Sequence, residues 1–104
     1  MRKQPVISYL RIREYAERWS WTDPATGKKR IGYDAPADAP DRARHPFYMK
    51  ALTDSGHIIE GECVTLSVNT SLHSRTVRFT GSGEVRKVSD LFIIEIDGVR
   101  FHVH

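Results

Sequence analysis

The chain has 104 residues, of which 39% are hydrophobic and 28% charged, a composition that excludes a disordered chain and predicts one globular domain spanning residues 1–104. The single cysteine excludes an intrachain disulfide, and no apolar run approaches the roughly 18 residues that cross a bilayer. Because the N-terminus also lacks the apolar core of a secretion signal, the predicted location is cytoplasmic, with no membrane partner.

The net charge of +3 is unevenly distributed. Residues 1–46 contain 10 Lys/Arg and 6 Asp/Glu, whereas residues 47–104 contain 6 and 7. The positive excess therefore belongs to the N-terminal part. It is compatible with an anionic partner and equally with an ordinary solvated surface.

Residues 5–18 fit the periods of both a strand and a helix. As a strand, they place Leu10 and Ile12 on one side, and as a helix they allow an i,i+4 pair between Arg13 and Glu17. A capping box and a glycine stop are both missing, so the strand is favoured.

A β-hairpin is predicted next. Trp19–Thr22 and residues 30–33 flank a connection that has proline early and glycine late. Trp19 and Trp21 lie two apart and therefore share one face of the strand. They either cap the core or form an exposed platform.

Residues 34–46 contain three of the five prolines and no apolar period. They are predicted to form an extended loop between an N-terminal extension, residues 1–33, and a β core, residues 47–104. The extension is too short to hold a core of its own, so the loop is not a domain boundary.

From residue 47 onward the sequence alternates in the manner of strands. Five predicted strands joined by short turns follow residue 56, at the spacing typical of small barrels and sandwiches. The architecture resembles an SH3-like or related barrel. The predicted fold is therefore mainly β, a small five-stranded antiparallel barrel with an N-terminal extension that is a strand or, alternatively, a helix.

Asp97 and Gly98 separate two runs of alternating polarity, and this dipeptide favours the type I′ turn of a two-residue hairpin. The turn sets the register. The predicted partners are Ile96 with Val99, Glu95 with Arg100, Ile94 with Phe101, Ile93 with His102, and Phe92 with Val103.

The apolar members of this register give the predicted core. Its inner face consists of Phe92, Ile94, Ile96, Val99, Phe101 and Val103, which are expected to pack on Val64, Leu66, Val68, Val77 and Phe79. A bend or bulge at Gly61 would bring the two halves of the preceding long strand into phase.

The sequence contains no recognisable catalytic set. Cys63 would need a nearby histidine to act as a nucleophile, and His102 with His104 would need a third ligand, such as His57 or His73, to hold a metal. No cofactor motif is present. The chain is therefore predicted to be non-enzymatic, with no metal and no cofactor.

One pattern points to binding. Basic and aromatic residues are concentrated in the N-terminal part, and cations on phosphates with rings under bases are how single-stranded nucleic acid is held. The candidate binding residues are Tyr9, Arg11, Arg13, Tyr15, Arg18, Trp19, Trp21, Lys28, Lys29 and Arg30.

These observations favour a non-enzymatic binding module that acts on a protein partner or on a second copy of itself, with single-stranded nucleic acid as the alternative partner. Self-association is suggested by a semi-apolar face on the C-terminal hairpin that needs a cover. This face consists of Leu91, Ile93, Arg100, His102 and His104.

Overall fold

The computed structural model describes residues 6–102 and confirms that the chain is mainly β. The strands are β1 Val6–Ser8, β2 Trp19–Thr22, β3 Lys29–Gly32, β4 Ala43–Arg44, β5 Phe47–Leu52, β6 Ile58–Asn69, β7 Ser74–Phe79, β8 Val85–Ser89, β9 Ile93–Ile96 and β10 Val99–His102. One short α-helix, α1 (Arg13–Ala16), and two 3-10 helices, Tyr9–Arg11 and Asp90–Phe92, complete the fold. None of the helices found in residues 6–102 has the length and apolarity needed to span a membrane.

The strands form two sheets. One has seven strands in the order β1-β10-β9-β5-β6-β7-β8, and the other has three in the order β3-β2-β4. Within the described residues β8 and β1 end the large sheet without pairing to each other, so no closed barrel is present. The mainly β prediction is thus confirmed, whereas the five-stranded barrel is not.

The N-terminal segment differs from the favoured interpretation. Only β1 is a strand, and it pairs in parallel with β10; the chain then continues through the first 3-10 helix into α1. Ile12 and Ala16 are four apart, and both are 1% exposed, because the helical turn directs them into the core together. The free energy gained by burying these two side chains outweighs the lack of capping residues at the ends of the helix.

The C-terminal hairpin is confirmed at its turn. Asp97 and Gly98 both have positive φ, at 49° and 82°, as a type I′ turn requires, and Ile96 lies opposite Val99. The Asp97 carboxylate also accepts hydrogen bonds from the Tyr48 backbone N–H at 2.9 Å and from the Arg18 guanidinium at 2.6 Å.

The predicted register is confirmed for the two pairs nearest the turn, Ile96 with Val99 and Glu95 with Arg100. The predicted pairs of Ile94 with Phe101 and Ile93 with His102 are not found among the β9–β10 pairs of residues 6–102. On its other edge β10 pairs with β1. Val103, the predicted partner of Phe92, and His104 lie outside the described residues.

A bulge on β9 explains the change of face. Lys50 lies opposite Glu95 and Ala51 opposite Ile93, so Ile94 has no partner on β5. The extra residue turns Ile93 into the core, where it is 4% exposed. It also leaves Phe92, predicted to be buried, in a 3-10 helix and 43% exposed.

The predicted phase of β6 is wrong, because the bulge expected at Gly61 is absent. Gly61 lies opposite Met49 with no shift of register, so the core-facing residues stay odd-numbered from Ile59 to Thr65, and the bulge comes later.

The register against β7 shifts between Thr65 and Ser67, so Leu66 is the extra residue. Cys63 and Thr65 face the core, and Leu66 is 46% exposed. The buried Thr65 hydroxyl donates to the Ala16 carbonyl at 2.7 Å, which satisfies the polar group and joins α1 to the sheet.

Among residues 6–102, the core contains one buried charged side chain. The Arg75 side chain is 1% exposed on β7 and forms a bidentate pair with Asp90, at 2.8 and 3.2 Å, and a third bond to Glu17 at 3.3 Å. Three of its five donors therefore meet carboxylates. The pairs connect β7 to the segment between β8 and β9 and to the C-terminal end of α1.

We expect Arg75→Met to lower the free energy of unfolding by about 3–5 kcal/mol, because two carboxylates lose the cation buried between them. Urea denaturation measures this. Arg78→Met is the matched control, since Arg78 is exposed on the same strand and should change stability by no more than about 0.5 kcal/mol. Equal effects of the two substitutions would contradict a stabilising role of the buried pair.

Candidate functional site

The small sheet places both tryptophans on one face. On β2, Trp19 lies opposite Gly32 of β3 and opposite Arg44 of β4. The Trp21 ring packs over Gly32, where an added Cβ would lie 3.4 Å from it. Both tryptophans are partly buried, and neither belongs to the main core. The residues shown to contact the two tryptophan rings belong to the small sheet and to the segment that contains β4.

Asp41 connects the strands of this sheet through its side-chain carboxylate. Its carboxylate accepts from the Thr22 backbone N–H at 3.0 Å, from the Thr22 hydroxyl at 2.5 Å and from Lys29 at 3.2 Å. These bonds, those from Thr22 above all, lower the pKa of Asp41 well below its ordinary value. Residues 34–46, predicted to be a plain loop, are therefore tied to β2 and contain β4.

Two arginines contact one tryptophan ring. The Cζ atoms of Arg42 and Arg44 lie 4.3 and 3.9 Å from the centroid of Trp19. Both distances are within the range of cation–π attraction. Arg44 is further fixed by a 2.9 Å hydrogen bond from its guanidinium to the Glu17 carbonyl. Stacking and this bond together hold the guanidinium of Arg44 in place.

A second stack adjoins the first. The Cζ atom of Arg13 lies 5.2 Å from the ring centroid of Tyr33, and Tyr33 and Trp19 line the same shallow cleft of about 270 Å³. We name Arg13, Trp19, Tyr33, Arg42 and Arg44 the arginine–aromatic cluster. It combines three cations with two rings.

The guanidinium groups of this cluster form no direct ion pair within residues 6–102, and Glu17 and Asp34 line the same cleft. Burial lowers the pKa of Arg44; Glu17 opposes the shift, while the positive charges of Arg42 and Arg75 add to it. Across residues 6–102, Arg13, Arg42 and Arg44 have no carboxylate within ion-pair distance. An anion bound here would reduce the mutual repulsion of the guanidinium groups.

Most of the other predicted cations are paired. Four of these cations form ion pairs: Arg11 with Glu14 at 2.9 Å, Arg18 with Asp97 at 2.6 Å, Lys29 with Asp41 at 3.2 Å, and Arg30 with Asp23 at 2.9 Å. Lys28 is exposed, and the described part of the chain offers it no such partner. Of the candidate cations, only Arg13 belongs to the cluster.

Two of the predicted aromatic residues serve the core. Tyr9 and Tyr15 pack against the buried residues, and Tyr15 meets Phe101 edge to face at 5.3 Å between ring centroids. Tyr9 makes a similar contact with His73 at 6.1 Å. Trp19 is the predicted ring that joins the cluster.

Three cluster residues were not predicted. Tyr33 ends the predicted hairpin, and Arg42 and Arg44 belong to the segment predicted to be a loop. Their spacing carried a signal, since arginines two apart share one face of any extended chain. The sequence does not show which element that face contacts, because the contact depends on the pairing of β4 with β2.

The C-terminal hairpin face also differs from the prediction. Ile93 is buried, and the outward positions form a row across four strands in which Glu60, Lys50, Glu95 and Arg100 lie side by side. Opposite charges alternate along the row, as solvated sheet faces allow. Of the predicted semi-apolar face, Ile93 is thus buried and Leu91 and Arg100 are exposed, whereas His104 and the side chain of His102 lie outside the described residues.

Cys63 is not placed to act as a nucleophile. Its side chain is buried, and burial raises the pKa of the thiol to about 12, with the negative charges of Asp97 and Glu62 adding to the effect. In the described ranges no three His, Cys, Asp or Glu side chains are grouped so that they could hold a metal ion. His104 and the side chain of His102 lie outside those ranges.

Comparisons with protein-family models, with curated proteins and with solved structures find no significant match to this chain.

We expect Cys63 to resist thiol reagents in the folded chain, because little thiolate exists near neutral pH and the side chain is enclosed. Labelling with dithionitrobenzoate at about pH 8 should be negligible without denaturant and should reach one thiol per chain in urea. Fast labelling of the folded chain would show that Cys63 reaches solvent.

The depressed pKa of Asp41 predicts a loss of stability in acid. Its contribution is complete well above the ordinary aspartate pKa near 4 and is lost as the pH falls through the lower folded value. The urea midpoint, followed by tryptophan fluorescence, should therefore exceed that of Asp41→Asn at about pH 6, and the difference should shrink toward about pH 2. A difference independent of pH would show that the carboxylate charge is not responsible.

Proposed function

We propose that this chain is a non-enzymatic module that binds single-stranded nucleic acid through its arginine–aromatic cluster. The observation that carries the proposal is the stacking of Arg42 and Arg44 on Trp19, with no carboxylate at ion-pair distance from either guanidinium within residues 6–102.

The chemistry of stacked guanidinium groups supports this partner. Stacking uses the flat face of the group and leaves edge N–H donors for the paired oxygens of a phosphate. An unpaired base also stacks on an arginine plane or an aromatic ring, which a base inside a duplex cannot do. Arg13 with Tyr33 provides a second such position beside the first.

The arrangement of the large sheet supports an SH3-like architecture as part of the proposal. Five consecutive strands follow the order β9-β5-β6-β7-β8, in which the fifth returns beside the first, and buried residues from each of them belong to one cluster. A sheet with this strand order can curl around one core, which is how a small barrel is built. We further infer a cytoplasmic location, supported by a lone cysteine that is a free, buried thiol.

A protein partner is the second candidate. The observation that favours it is a groove beside residues 58–62 of β6, which have a partner strand on one side only within residues 6–102 and share no residue with the arginine–aromatic cluster.

We expect a fluorescein-labelled oligo(U) of about 15 nucleotides to bind with an affinity that falls as salt rises, as measured by fluorescence anisotropy. The double substitution Arg42→Gln, Arg44→Gln should weaken binding about tenfold or more and make the salt dependence shallower, by about 0.7 in the log–log slope for each phosphate that is no longer neutralised. Unchanged affinity in this variant would remove the cluster from the proposal.

Two controls separate geometry from charge. Arg11→Gln removes a cation that already has a partner, Glu14, and should leave the affinity within about twofold. Arg44→Lys keeps the charge but loses the planar stack, so it should weaken binding nearly as much as Arg44→Gln. If Arg44→Lys binds normally, only net charge matters.

A further inference from the structure

The long strand β6 is paired on both sides over only part of its length. Its first half pairs with β5, from Ile58 opposite Leu52 to Cys63 opposite Phe47. Pairing with β7 begins at Cys63 and continues to the end of the strand. Residues 58–62 thus have a partner strand on one side only within the described chain.

The free side has defined donors and acceptors. The Glu62 carbonyl accepts from the Thr80 backbone N–H at 3.0 Å, so the backbone groups of Glu62 point away from β5. Residues two apart on a strand point the same way, and the register from Lys50 to Glu60 continues without a shift. The N–H and C=O groups of Ile58 and Glu60 therefore face the open side.

A groove runs along this edge. It lies between residues 58–62 and the turn from β7 to β8 and has a volume of about 680 Å³. Its apolar residues include Ile59 and Phe79, and the Phe79 ring lies so close to Gly61 that an added Cβ there would be 3.2 Å from it. Ile59 also lines an adjacent groove that reaches Phe92, so the apolar floor extends beyond one side chain.

The groove is negatively charged. Glu60, Glu62 and Glu84 line it with one cation, Arg86, which is already paired with Glu84. Glu60 and Glu62 lie two apart and so share one face of β6. A strand added at this edge would place an outward side chain directly opposite Glu60 and diagonal to Glu62, whose carbonyl and carboxylate both accept from Thr80. Positive charge is favoured at that position.

We propose that this edge of β6 binds an extended peptide segment of another protein, by strand addition, in which apolar side chains alternate with lysine or arginine. Its backbone pairs with Ile58 and Glu60, its apolar side chains enter the groove over Ile59 and Phe79, and its basic side chains meet Glu60 and Glu62. This site goes beyond the nucleic-acid proposal and shares no residue with the arginine–aromatic cluster.

The test uses the full chain and two fluorescein-labelled peptides with blocked ends, Lys-Val-Lys-Val-Lys-Val-Lys and its glutamate counterpart. Fluorescence anisotropy should show binding of the lysine peptide and none of the glutamate peptide. Glu60→Lys with Glu62→Lys should weaken binding of the lysine peptide about tenfold, since the favourable cross-strand pair with Glu60 and the diagonal pair with Glu62 both become repulsive. Oligo(U) binding should be unaffected or slightly tighter, so failure of this proposal is distinguishable from failure of the first.

Backbone pairing is tested separately from charge. Glu60→Pro removes a groove-facing N–H without removing a bond to β5, and Glu60→Gln is its control, because it loses the same charge but keeps the donor. Proline should weaken binding well beyond glutamine. A lysine peptide with N-methyl groups at alternate residues should bind the unaltered chain weakly, which keeps the test valid should the proline variant unfold.

Three results would overturn the proposal: no binding of the lysine peptide, equal binding of both peptides, or full binding of the N-methylated peptide. Sedimentation of the chain over a range of concentrations tests the competing occupant. A dimer that dissociates when the lysine peptide is added would mean that a second copy fills the groove.

Discussion

The buried ion pairs of Arg75 are the constraint on which the rest of the structure depends. Arg75 holds Asp90 and Glu17, and the backbone carbonyl of Glu17 in turn accepts from Arg44, which stacks on Trp19. A continuous series of contacts therefore leads from the interior of the large sheet to the exposed cluster. Because each group in this series contacts the one before it, the small sheet presents the guanidinium of Arg44 in a fixed position.

The elements that could be predicted from the sequence are those with local causes. The Asp97–Gly98 turn depends on two residues, and the hairpin of β2 and β3 on a short connection, so both were predicted correctly. The bulges at Ile94 and Leu66 have no local signal. Each bulge shifts all following side chains to the other face, so missing one bulge misplaces the whole remainder of the strand.

The candidate site was predicted only in its general chemistry. Basic and aromatic residues are visible in the sequence, but which cations are neutralised depends on contacts between distant segments, such as the pair of Arg18 with Asp97. Arg42 and Arg44 contact Trp19 because β4 pairs with β2. β4 is a two-residue strand that forms only because β2 lies beside it. Propensity cannot predict such a strand, because its stability comes from its neighbour.

The parallel pairing of β1 with β10 has a consequence for how the chain folds. Val6 lies opposite Arg100, so this contact joins nearly the two ends of the described chain and encloses almost all of it in one loop. The entropy of closing so long a loop is lost before the contact can stabilise anything. β1 should therefore add to a sheet that already exists, docking after the folding transition state, and its amides should exchange with solvent hydrogen sooner than those of β5 or β6.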